Sequence, residues 1–150
     1  MITRTAEHGS FVLTRTYPAP PARVFAAWAS RDAKARWFGA PGEYNTGLEL
    51  DFRIGGTETN SGGPPDGPRY TYQATYQDIV PEERIVYGYT MDCDDTVISV
   101  SVATVEFVAA GDGTTLRLTE QGVFLDGGDT TAVREKGTSE LLDQLGSALS

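Results

Sequence analysis

The amino-acid sequence predicts an α+β fold in which a curved antiparallel sheet of about six strands wraps around one long C-terminal helix. The longest helix-compatible run is Thr130–Leu149, which contains no proline and would reach roughly 30 Å. Upstream of it, most of the chain alternates apolar and polar residues, as strands do. A helix with a long apolar stripe must be buried, and a sheet is the partner that the chain offers. The predicted stripe is Val133, Leu141, Leu142, Leu145, Ala148 and Leu149, and the polar positions beside it include Arg134, Glu135, Lys136, Glu140, Asp143 and Gln144.

The N-terminal part of the chain predicts a strand followed by a helix. Residues 1–9 are expected to form a flexible N-terminus. Phe11–Tyr17 is rich in β-forming residues and is closed by prolines. Pro20 or Pro21 suits the first turn of a helix, and apolar residues then recur at helical spacing. The members of that apolar face are Val24, Phe25, Trp28 and Ala29.

A second short helix and a second strand are expected next. Ser30 or Asp32 can cap a helix over Ala33–Phe38. The segment Leu48–Ile54 alternates strictly, which is typical of a strand with one solvent-facing side. Gly55-Gly56 marks a bend or bulge at its end.

The remaining segments predict a loop and four further strands. Asn60–Pro68 has a pure turn composition and is interpreted as a flap near the mouth of a cavity or as a plain loop. Strands follow around Tyr70–Tyr76 and Ile85–Met91, and Gly111–Gly113 forms a hairpin turn. The last two strands are Val97–Val108 and Thr114–Thr119. The order is β-α-α-β-β-β-β-β-α, which predicts a single domain over residues 1–150.

Composition excludes several classes of function. The chain has 12 basic and 21 acidic residues, a net charge of −9, which repels nucleic acid and anionic membranes. No apolar run reaches membrane-spanning length, so we expect a soluble, cytoplasmic protein. Neither a metal nor a cofactor is expected, because Asp92, Asp94 and Asp95 lack calcium-loop spacing and the glycine pairs lack a phosphate-loop ending. The single cysteine, Cys93, forms no intramolecular disulfide.

Several short segments, taken in order, resemble the SRPBCC (START-like, helix-grip) superfamily. The similarity is greatest to its branch related to the C-terminal domain of the activator of the heat-shock-protein-90 ATPase. Many relatives have a Gly-Trp pair in the last helix, whereas here Gly137 is followed by Thr138. The segments that carry the resemblance are Pro20–Trp28, Arg36–Phe38, Leu50–Gly56, Tyr76–Ile85, Val105–Phe107 and Gly113–Leu116.

The resemblance implies a deep apolar cavity between the sheet and the last helix. Tyrosines that share the inward parity of their strands agree with such a cavity, because they combine apolar walls with polar tips. The alternative is that the same aromatic residues fill a solid core and their hydroxyls reach the surface. The predicted ligand-binding residues are Trp28, Trp37, Phe38, Phe52, Tyr70, Tyr72, Tyr76, Tyr87, Tyr89, Leu118, Glu120, Leu141 and Leu145.

Glu120 is the one candidate for catalysis. It shares a strand face with Leu116 and Leu118, so its carboxylate either points into the cavity or emerges into solvent at the strand end. In the predicted strand Leu48–Ile54, Arg53 alternates with the apolar residues and should face outward, so we expect it in an ion pair on the sheet surface.

Three functions are consistent with the sequence. The first is a non-enzymatic protein that binds a hydrophobic or aromatic small molecule. The second, implied by the resemblance, is a stress-related interaction module that contacts a chaperone. The third is an enzyme of the polyketide cyclase or aromatase type that uses Glu120 as acid or base. A monomer and a homodimer are both compatible with the sequence.

Overall fold

The computed structural model of the protein describes residues 4–39 and 47–150. Seven strands and three helices are found in these ranges. The strands are β1 (Ala6–Tyr17), β2 (Glu49–Leu50), β3 (Thr57–Gly62), β4 (Tyr70–Val80), β5 (Arg84–Cys93), β6 (Thr96–Ala110) and β7 (Gly113–Leu125). The helices are α1 (Pro21–Ala29), α2 (Arg31–Ala35) and α3 (Thr131–Ala148).

The strands form one antiparallel sheet in the order β1-β7-β6-β5-β4-β3-β2. The sheet is open and curved, and α3 packs in its grip, which confirms the predicted fold class. Leu142 and Leu145 of α3 are buried against inward-facing residues of the sheet, such as Leu116 and Val105. At one end of this contact Tyr17 of β1 donates a hydrogen bond of 2.7 Å to the backbone carbonyl of Leu142.

The region between α2 and β4 differs from the prediction. The expected strand Leu48–Ile54 is ordered as a strand only at Glu49–Leu50, because the chain turns at Gly55, whose φ is +84°. The chain then forms β3, so the sheet has seven strands rather than six and Asn60–Gly62 belongs to a strand instead of a loop.

Boundaries elsewhere shift by a few residues. Strand β1 begins at Ala6, so residues 6–9 pair with β7 and are not a flexible terminus. The second helix is α2, whose N-cap is Ser30, and it ends at Ala35 rather than Phe38. Strand β7 extends to Leu125, which places Glu120 inside the strand.

Helix α3 lies where it was expected, but in its first half the buried face is formed by other residues than predicted. Thr130 caps it by accepting a hydrogen bond of 3.1 Å from the backbone N–H of Val133. Val133 itself is 62% exposed, whereas Arg134 and Thr138 face inward together with Leu142. The prediction that Val133 lies on the buried stripe and Arg134 on the polar face was therefore wrong. None of the helices within the described ranges is long and apolar enough to cross a membrane.

Candidate functional site

A pocket of about 1030 Å³ lies between the sheet and α3. Its volume is at the upper end of the range of about 300–1,000 Å³ that is usual for small-molecule sites. Helix α1, the segment after α2 and strands β4 and β5 contribute an aromatic wall, while α3 contributes Leu141 and Leu142 on the opposite side. The aromatic residues among the described lining are Trp28, Trp37, Phe38, Tyr70, Tyr72, Tyr87 and Tyr89.

The rings of the wall contact one another, which fixes their positions. The centroids of Tyr72 and Tyr89 are 4.9 Å apart, and Phe38 lies 5.3 Å from Tyr72 in an edge-to-face arrangement. Trp28 and Trp37 meet at 4.8 Å. Such aromatic pairs stabilise the fold by more than the burial of their apolar area alone, which holds the rings in place where a ligand would lie.

At the end of the pocket near the start of α3 a polar cluster forms, which we call the pocket centre: Tyr89, Glu120 and Arg134. The Arg134 guanidinium donates hydrogen bonds of 2.8 Å to the Tyr89 hydroxyl, to Ser99 and to Asp129. The Tyr89 hydroxyl in turn donates one of 2.6 Å to Glu120. The Arg134 and Glu120 charges are 3.8 Å apart.

Glu120 is buried, with 3% of its surface exposed. Its carboxylate therefore points into the fold, as one of the two predicted orientations had it, and not into solvent. Desolvation raises the pKa of Glu120 above its ordinary value, although Tyr89 and Arg134 partly oppose that change. Burial and the nearby Glu120 charge likewise raise the pKa of Tyr89, so its hydroxyl keeps its proton and acts as a donor.

A second polar cluster lies deeper, and we call it the closed centre: Lys34, Glu58 and Tyr76. The Lys34 ammonium is 2.6 Å from Glu58, and the side chains of the pair are 1% and 0% exposed. The Tyr76 hydroxyl donates a short hydrogen bond to the same carboxylate oxygen. None of the three residues lines the pocket. The closed centre joins α2 to β3 and β4 and so fixes the helical side of the aromatic wall.

Five buried side-chain polar atoms have no hydrogen-bond partner within the described residues. They are the Tyr72 hydroxyl, the Trp28 indole nitrogen, the Asn60 amide oxygen, the Ser101 hydroxyl and one oxygen of Glu58. Buried polar groups normally have partners, because an unmet hydrogen bond is costly. Since Tyr72, Trp28 and Asn60 line the pocket, these three groups are available for an additional polar contact there.

Most of the predicted site residues come together around the pocket, but three do not. Phe52, Tyr76 and Leu145 are absent from its lining: Phe52 packs edge-on against Tyr76, and Leu145 lies in the core. Tyr70 lines the pocket at its rim, where it is 41% exposed. The predicted residues that do line the pocket are Trp28, Trp37, Phe38, Tyr70, Tyr72, Tyr87, Tyr89, Leu118, Glu120 and Leu141.

Sequence reasoning missed three charged residues of the interior, Lys34, Glu58 and Arg134. One signal was present for Arg134, which precedes Thr138 by four residues and Leu142 by eight and so shares their helix face. No comparable periodicity marks Lys34 in its five-residue helix.

Arg53 is exposed and ion-paired, as expected. Arg53 forms an exposed ion pair of 2.9 Å with Asp51. Within residues 4–39 and 47–150, no group of three or more His, Cys, Asp or Glu side chains is arranged to hold a metal ion.

A curved antiparallel sheet that grips a long C-terminal helix, with a pocket between them, defines a helix-grip domain of the SRPBCC type. The chain belongs to the family described as activator of Hsp90 ATPase homolog 1-like protein, whose sequence model matches residues 18–150. The resemblance inferred from the sequence is thereby confirmed.

Solved structures of similar proteins support this assignment. An uncharacterized protein from Rhizobium leguminosarum is 46% identical, with a TM-score of 0.93 over 98% of this chain and 97% of that chain. The Mll3558 protein from Rhizobium loti is 41% identical, with a TM-score of 0.87 over 96% and 99% of the two chains. Protein CV1439 from Chromobacterium violaceum is 26% identical, with a TM-score of 0.79 over 93% and 96%. A search of curated proteins found no match.

Proposed function

We propose that the protein binds a hydrophobic or aromatic small molecule in the pocket between the sheet and α3. The observation that carries this proposal is the aromatic wall: the rings of Tyr72, Tyr89 and Phe38 border a pocket of about 1030 Å³ instead of closing it. Large apolar pockets with a few convergent polar groups are the usual form of small-molecule sites. The pocket centre supplies those polar groups at one end.

Native mass spectrometry of the purified protein, followed by thermal-shift measurements against a panel of lipids, flavonoids and aromatic acids and amines, tests this proposal. We expect a co-purified mass or a saturable rise in Tm. Leu141→Trp, which would fill the pocket from α3, should abolish the shift. Val102→Trp is the matched control, because Val102 is 43% exposed and lies outside this pocket. A protein without any adduct or shift would contradict the proposal.

A second candidate is an enzyme in which Glu120 acts as acid or base on the bound molecule. The observation that favours it is the position of Glu120, buried at the pocket with a raised pKa. A carboxyl group whose pKa is moved toward neutrality is suited to proton transfer. Turnover of a ligand identified by the panel, lost in Glu120→Gln while binding persists, would favour this candidate; turnover that survives the substitution would exclude it.

A chaperone contact, the oligomeric state and a cytoplasmic location stay predictions. The family description names a chaperone ATPase, and co-precipitation with that chaperone tests the contact directly.

A further inference from the structure

Together with Asp129, the pocket centre carries more negative than positive charge. Arg134 lies between Glu120 and Asp129, so one cation faces two carboxylates. Its hydrogen bonds go to Asp129, Ser99 and Tyr89, and none goes to Glu120. Glu120 accepts a hydrogen bond from the Tyr89 hydroxyl, and the Ser101 hydroxyl on β6 also lowers the pKa of Glu120. A buried carboxylate whose nearest cation is shared with a second carboxylate is incompletely compensated, so it favours a further cationic or hydrogen-bond-donating partner.

The closed centre contains a second buried carboxylate beside a tyrosine hydroxyl, and it shows which cation pairs with that carboxylate. There an ammonium group, Lys34 Nζ, contacts Glu58 at 2.6 Å beside a tyrosine hydroxyl. It also lies 4.5 Å from the ring centroid of Phe38 and 5.3 Å from that of Trp28. Both rings belong to the wall of the pocket as well. A carboxylate, a tyrosine hydroxyl and aromatic rings therefore already surround an ammonium group once in this fold.

The pocket centre repeats that set without the ammonium group. Glu120 supplies the carboxylate and Tyr89 the hydroxyl. The tilted rings of Tyr72 and Tyr89 supply aromatic faces, and the Arg134 guanidinium already lies over one face of Tyr89, 5.5 Å from its ring centroid. The Tyr72 hydroxyl is an independent indication of a ligand, since Tyr72 is 8% exposed, lines the pocket and has no partner for its hydroxyl within the described residues. A hydroxyl oxygen can accept a hydrogen bond from an ammonium N–H, and aromatic faces attract cations.

We propose that the ligand of this pocket is an organic cation, an aromatic or hydrophobic molecule whose protonated amine lies against Glu120 and the rings of Tyr72 and Tyr89. This inference rests on the proposed function and specifies the class of ligand. The described lining of the pocket carries two cationic side chains, Arg69 and Arg134. It carries three carboxylates, those of Glu120, Asp129 and Glu140. The net charge of −9 adds a field that attracts cations and repels anions.

Three probes that share one ring and differ in charge test this inference: naphthylmethylammonium, naphthylmethanol and naphthoate. Their dissociation constants are measured by titration calorimetry at low ionic strength. We expect the ammonium probe to bind at least about tenfold more tightly than the alcohol, since a desolvated cation gains both a carboxylate and aromatic contacts. Naphthoate should bind more weakly than the alcohol.

Glu120→Gln should reduce the affinity for the ammonium probe to within about threefold of that for the alcohol. Binding of the neutral alcohol reports that this variant is folded. Glu140→Gln is the matched control, because it makes the same chemical change at an exposed lining carboxylate, where solvent screens the charge. It should retain most of the preference.

The pH dependence gives a second measurement on the unaltered protein. The groups that face Glu120 are Arg134 from α3, Asp129 before it, Tyr89 and Tyr87 from β5, and Ser101 from β6. Below pH 8 the amine probe stays protonated, so the ratio of ammonium to alcohol affinity should rise with pH as Glu120 loses its proton.

The outcomes separate the two proposals. Equal binding of the three probes, or tightest binding of naphthoate, would overturn the cation preference while the ligand-binding function stands. A preference that survives in Glu120→Gln would equally overturn the role given to Glu120. Failure of all three probes to bind would count against the proposed function itself, and the cation preference would fall with it.

Discussion

The two polar centres of this protein are built from the same parts and differ in access. Each places a carboxylate beside a tyrosine hydroxyl, Glu58 with Tyr76 and Glu120 with Tyr89. In the closed centre an ammonium group contacts the carboxylate directly and all three side chains are shut off from the pocket. In the pocket centre the guanidinium of Arg134 is 3.8 Å away and the residues line the pocket.

The difference in access gives the two buried carboxylates different roles. A complete and inaccessible pair fixes the relative positions of α2 and the sheet, which is a structural role. For the incompletely paired carboxylate on the pocket wall we propose a role in recognition, because a ligand can supply the missing partner.

The largest effect is expected at the closed centre. Lys34→Met leaves the Glu58 carboxylate buried without its cation, which should lower the free energy of unfolding by about 3–5 kcal/mol. The double variant Lys34→Met with Glu58→Gln should recover part of that loss, since a neutral amide needs no counter-charge. Urea denaturation measures both.

Arg53→Met is the control for that substitution, because it breaks an exposed pair, with side chains 67% and 54% exposed, and should cost less than about 1 kcal/mol. A loss at Lys34 no larger than this control would show that the closed centre does not stabilise the fold.

A smaller effect is expected at Arg134. Arg134→Met removes the cation from Glu120 and Asp129 together with its hydrogen bonds, and should cost about 2–3 kcal/mol at neutral pH. Because Arg134 lowers the pKa of Glu120, its removal raises that pKa further, and the deficit should grow as the pH rises. Denaturation curves at several pH values measure this trend. A deficit that shrinks with rising pH would refute the pairing.

The smallest change in stability is expected for Glu120→Gln, and its signature is the pH dependence. The pKa of Glu120 is higher in the folded than in the unfolded protein, so its contribution is most favourable at low pH and is lost as the pH rises through the folded-state pKa. Relative to the variant, the unaltered protein should therefore lose stability as the pH rises above the ordinary glutamate pKa of about 4.3, until the raised folded-state pKa has been passed. Parallel curves for the two proteins would contradict a raised pKa.

Much of the fold could be predicted from the sequence, because its signals are local. The cap at Ser30, the turn at Gly111–Gly113 and the extent of α3 follow from residue types with strong backbone preferences. The inward parity of Glu120 followed from the period of its strand. The bend at Gly55 was expected, but not that a new strand begins immediately after it.

The charged interior could not be predicted in the same way. Lys34, Glu58 and Arg134 are residue types that usually face solvent, and a single sequence does not show which partner would compensate them. Glu58 meets Lys34 across 24 positions of the chain, and Arg134 meets Tyr89 across 45. Such pairs are defined by tertiary packing. The same holds for the orientation of α3 about its axis, which places Arg134 in the interior.

The most direct test of the difference between the two centres is a titration of the protein with naphthylmethylammonium, observed by NMR of the glutamate side-chain carboxyl carbons. Glu58→Gln and Glu120→Gln assign the two resonances. We predict that the Glu120 signal moves saturably as the probe binds while the Glu58 signal stays in place. Saturable binding that leaves Glu120 unmoved, or that shifts Glu58 instead, would contradict the assignment of recognition to the pocket centre and of structure to the closed centre.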